Sequence, residues 1–157
     1  MEKQEFLSNT VARSTEPQVN ERIQKDIQKN ILYYASNPDQ IDTRITEVEN
    51  EWDIERALEM NASVFALSGL VLGVLGRKGW LMLPIVVLSF LIQHAVRGWC
   101  PPIVIFRRLG MRTRDEILFE KNSLRALRGD FDQISDIKSK AAAEKARDLF
   151  DIYRKAA

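Results

Sequence analysis

The chain has 157 residues, enough for one ordinary domain, with 29% charged residues, a formal net charge of +1 and one cysteine. That balance supplies no global basic field for nucleic acid, and a single thiol excludes an internal disulfide framework. The mean hydropathy of −0.23 looks soluble, but the charges are unevenly spread. There is none between Ala62 and Leu75, and between Gly79 and Val96 only His94 could carry one. Apolar residues gathered in one mid-chain block read as bilayer-crossing rather than as a diluted globular core. The first 30 residues hold no apolar run of the length a secretory signal needs, so the block is expected to be retained.

Residues 1–14 carry no pattern and read as a mobile end. Thr15 can cap a helix with Pro17 in its first turn and Gln18 three places on. Val19, Ile23, Ile27, Ile31 and Tyr34 then share one helical face, until Asn37-Pro38 stops it. Asn37 is expected to cap a second helix, with Ile41, Ile45, Val48 and Trp52 as its stripe. Two amphipathic helices joined by a short turn predict a helical hairpin, packed on itself or offered to a coiled-coil or membrane contact.

The first crossing is predicted from Leu58 to Gly76, about 19 residues or about 28 Å, close to the hydrocarbon thickness. Arg77-Lys78-Gly79 forms the turn, and a second crossing runs from Trp80 to Val96, bracketed by Trp80 and Trp99 as interface anchors. Cys100-Pro101-Pro102 ends it, and Ile103 to Phe106 reads as a patch at the membrane surface. Thr113 and Glu116 have capping-box spacing for a helix to Arg128, with Gly129 as its stop. Leu124, Leu127, Phe131 and Ile134 form one seam that continues into a last, alanine-rich helix capped by Asp130 with Gln133 and carrying Ile137, Ala141, Leu149 and Tyr153. The fold class is thus all-α: a two-helix transmembrane hairpin (residues 53–114) flanked by cytoplasmic helices (1–52 and 115–157). Seven basic residues on the terminal side (Arg44, Arg56, Arg97, Arg107, Arg108, Arg112, Arg114) face two in the turn, Arg77 and Lys78. The bias of Lys and Arg toward the cytoplasm then puts both termini inside the cell.

Three features could carry chemistry or assembly. Gly69 and Gly73 form a GxxxG in an apolar helix, extended by Ala62 and Ala66, and small residues let another helix approach closely. The partner could be the hairpin's own second helix or a second subunit. Gln93 and His94 are intramembrane polar candidates, with Asn61 or Ser63 at the same end as possible hydrogen-bond partners. Cys100 is a candidate reactive thiol, since nearby arginines would favour the thiolate. No metal-ligand cluster, phosphate loop or Ser/His/Asp arrangement accompanies them, so no cofactor and no enzyme activity are expected.

Asp53-Ile-Glu-Arg56, Gly69 with Gly73, Gly98-Trp-Cys-Pro101 and Arg108-Leu-Gly-Met-Arg-Thr113 together resemble the YgaP-like transmembrane domain, a small bacterial two-helix domain, over residues 52 to 114. The resemblance implies an inner-membrane location and a tendency to dimerise. Some members carry the domain behind a rhodanese, which this chain lacks, so sulfur transfer is not carried over. The expected function is an oligomeric membrane anchor or adaptor that contacts lipid and itself, with a cytoplasmic protein as a further candidate partner. The alternatives are a redox or sulfur-handling protein using Cys100 and a small transporter subunit.

Overall fold

The computed structural model describes residues 10–132 together with Asp148 and Ile152. The described chain is all-helical: α1 (Thr10–Arg13), α2 (Pro17–Ser36), α3 (Ile41–Asn50), α4 (Ile54–Leu75), α5 (Met82–Arg97), α6 (Pro101–Arg108) and α7 (Arg114–Arg128). Short 3-10 turns at Pro38–Gln40 and Lys78–Leu81 lead into α3 and α5. The predicted last helix, its cap partner Gln133 and its stripe residues lie outside the described residues.

The chain forms two compact units, residues 1–26 with 51–117 and residues 27–50 with 118–157. In the first, α4 and α5 pack as an antiparallel pair. Asp53 starts α4 as its N-cap, its carboxylate accepting from the Arg56 amide at 2.7 Å. α5 ends at Gly98, whose φ of 67° is the left-handed cap that glycine adopts without a Cβ penalty. Its amide donates to the His94 carbonyl at 2.7 Å.

Two expectations for this unit are corrected. Residues 10–13 are not a loose end: they form α1, which sends Val11 into a core with Ile54, Leu58, Cys100 and Ile103. Pro101-Pro102 does not merely stop α5. It opens α6, because proline at the first helical positions gives up an amide that would be unpaired there anyway.

In the second unit, Ile41, Ile45 and Leu124 form a core against which Tyr34 packs. The α3 stripe is buried at Ile41, Ile45 and Val48. Asn37 does not cap as expected: its amide group donates back to the Tyr33 carbonyl at 2.7 Å instead. The carboxylate of fully buried Glu120 accepts from Asn30 at 3.2 Å and from Arg44 at 3.0 Å. A buried charge is tolerated only when paired in this way. Leu127, expected on the seam with Leu124, is exposed, while Leu124 is fully buried.

Candidate functional site

The hairpin is closed by its glycines. A Cβ added at Gly69 would lie 2.5 Å from Pro84 Cδ and 2.9 Å from Leu83 Cβ, and one at Gly73 would collide with the Leu81 side chain. At Gly69 and Gly73 the close approach is thus made by Leu81, Leu83 and Pro84, from the turn and the start of α5. Ala62 is buried and Ala66 half-buried. The outer surfaces are different. None of the most apolar stretch of Lys78–Arg97 is buried and 22% of that of the helical stretch ending at Leu75 is, and both stretches are long and apolar enough to cross a membrane. Leu67, Val74, Ile85, Ile92 and Val96 stand exposed. A core helix of a soluble protein would have these side chains covered.

At the Asn61–His94 end the hairpin meets α6 around an apolar groove of about 270 Å³. Leu58, Asn61, Ala62 and Phe65 of α4 line it at helical spacing, as do Val87, Phe90 and Leu91 of α5 and Pro102, Ile105 and Phe106 of α6. Asn61 turns its amide group onto the Ala57 carbonyl at 2.8 Å. It does not partner His94, whose Nδ1 is buried without a hydrogen bond. Gln93 is half-buried. The expected polar pairing across the hairpin is thus absent among the described residues.

Behind the groove lies a polar lock that sequence reading missed. Arg107 is 1% exposed. Its guanidinium donates to both oxygens of Glu116 at 2.6 and 2.9 Å, to Asn20 Oδ1 at 2.7 Å, to the Met111 carbonyl at 3.1 Å and to Thr15 Oγ1 at 3.2 Å. Every N–H of an arginine is then used. Glu116 also closes the predicted capping box: it accepts from the Thr113 amide at 2.8 Å, while its own amide donates to Thr113 Oγ1 at 3.3 Å. The available signal was Arg107 lying on the stripe with Ile103 and Phe106, where an apolar residue would be ordinary.

The other arginines at this end are also spoken for. Arg108 pairs with Glu16, Arg112 with Glu51 and Arg114 with Asp53, while Arg56 sits 4.5 Å over the Trp52 ring. Arg97 forms no such contact among the described residues.

Cys100 is fully buried, and burial pushes its thiol up rather than down. The expected activated thiolate is not what its surroundings favour. Among the described residues no cluster of His, Cys, Asp or Glu could hold a metal.

No family model, no curated protein and no solved structure matches the chain.

Proposed function

We propose that the chain is an integral membrane protein whose α4–α5 hairpin anchors helical units on the cytoplasmic side of a cell membrane. The observation that carries this is the exposure of both long apolar helices on the surface they do not share. In water that surface would be an aggregation liability; in hydrocarbon it is the expected exterior. The excess of arginine at the Asn61–His94 end supports an orientation with both termini inside. The residues that carry the resemblance to the YgaP-like transmembrane domain have structural duties here: Asp53 caps, Gly69 and Gly73 permit close approach, Gly98 terminates and Thr113 boxes. That division of labour supports the family reading and an inner-membrane location. Self-association remains part of the proposal, but it would use a face other than the glycines, which the hairpin already occupies.

The adaptor reading is favoured over thiol chemistry because Cys100 is enclosed by Val11, Ile54, Leu58 and Ile103. The test is an alkaline carbonate wash of membranes from cells expressing the full chain. Retention in the pellet, with release only by detergent, is expected; recovery in the wash supernatant would overturn the reading.

A further inference from the structure

We infer that the groove between α4, α5 and α6 takes one acyl chain of an anionic phospholipid, whose phosphate is met by Arg97. The inference rests on the membrane reading of the hairpin. The groove is lined almost wholly by apolar side chains. Its volume of about 270 Å³ falls just below the range of about 300–1,000 Å³ typical of small-molecule sites. A slot of that size suits a narrow flexible chain. A helix, about 10 Å across with its side chains, does not fit into it.

A second copy is disfavoured on a further ground. Membrane helices approach one another through small residues, and Gly69 and Gly73 already receive Pro84 and Leu81. The groove walls are instead bulky, with Phe65, Phe90 and Phe106.

Charge selects the headgroup. Arg97 lies seven residues after Phe90, so it shares that face of α5 about 10 Å further toward the helix end. It is exposed, and it forms no ion pair or hydrogen bond among the described residues, whereas Arg107, Arg108, Arg112 and Arg114 each hold a carboxylate. A cation just beyond an apolar slot at the membrane edge complements a lipid with its chain in the slot and its phosphate at the surface. Ile105 and Leu109, both exposed on and just after α6, would lie at the same interface.

The test is native mass spectrometry of the full chain in detergent, incubated with equal amounts of palmitoyl-oleoyl phosphatidylglycerol and phosphatidylcholine. The wild type should retain one lipid, with phosphatidylglycerol preferred. Arg97→Gln should lower that preference about five-fold while lipid is still retained. Ala62→Phe, which fills the slot, should abolish retention of both lipids, whereas Leu67→Phe, which places the same ring at an exposed position, should leave it intact. If Ala62→Phe does not fold, the Arg97→Gln arm still decides. An unchanged lipid ratio in Arg97→Gln would overturn the inference. So would a wild-type dimer that Ala62→Phe converts to monomer, because the occupant would then be a second copy. A membrane-retained protein that holds no lipid defeats this inference alone; a chain washed off by carbonate defeats the membrane reading beneath it.

Discussion

Arg107 and Glu116 face each other as a two-pronged ion pair, 2.6 and 2.9 Å across, with both side chains out of solvent. Nine residues apart in the chain, they tie α6 to the start of α7, and Asn20 adds α2 to the same guanidinium. Removing one partner from such a pair strands a buried charge, which costs about 3–5 kcal/mol. Arg107→Met and Glu116→Gln should each destabilise the first unit by about that amount, measured by denaturant unfolding in detergent. The double variant should cost clearly less than the two together. Simple additivity would show that the pair is not the unit of stability.

The hairpin glycines differ in what surrounds them. At Gly69 a methyl group meets the ring of Pro84 and the Cβ of Leu83, neither of which can move without the helix. At Gly79 it meets nothing within 4 Å. Gly69→Ala should therefore lower stability by about 1–3 kcal/mol, the usual cost of overpacking, and Gly79→Ala should leave it unchanged. Melting curves of the two variants in the same detergent check this; equal melting temperatures would mean that the helices are not in close contact at Gly69.

Much of this was legible in the residues. The two long apolar helices were readable because an uncharged block of that length is a local property of composition. The Thr113–Glu116 box was readable because capping is local, set by residues three apart. What was not legible is non-local. Nothing near Val11 says that it packs on Ile54 and Cys100, and nothing near Arg107 says that Glu116, Asn20 and Thr15 will converge on it. The same gap misled the reading of Cys100: adjacent arginines in sequence suggested a low pKa, but those arginines are engaged with Glu116, Glu16 and Glu51, and the thiol is buried in apolar surroundings.

Cys100 should consequently behave as an inert core residue. A thiol held above its usual pKa and out of solvent reacts slowly. Native protein in mild detergent at neutral pH should resist a soluble maleimide, and unfolded protein should label fully. Rapid labelling of the native state would restore the case for thiol chemistry.

In the second unit, Asp130 accepts from Arg128 at 2.6 Å and from Arg125 at 3.2 Å. The Arg128 hydrogen bond holds its carboxyl below the usual aspartate range, partly offset by burial. A lowered native pKa means that the unfolded chain takes up the proton first as the pH falls. The contribution is complete above the ordinary value of about 3.9 and is lost as the pH drops through the lower native value. Because Arg128 is open to solvent, it should amount to no more than about 1 kcal/mol. Asp130→Asn should thus melt earlier than the wild type at pH 6, and the gap should close toward pH 2. A gap that persists at pH 2 would assign the effect to shape rather than charge.

The most direct test of the central claim is cysteine accessibility in intact cells, on a Cys100→Ala background. Gly79→Cys lies in the turn between α4 and α5, where a side chain meets open space, and Thr43→Cys lies on an exposed face of α3. A membrane-impermeant maleimide should label position 79 in intact cells and position 43 only after the membrane is permeabilised. Labelling of position 43 with protection of position 79, or equal labelling of both before permeabilisation, would contradict a hairpin anchored with its termini inside.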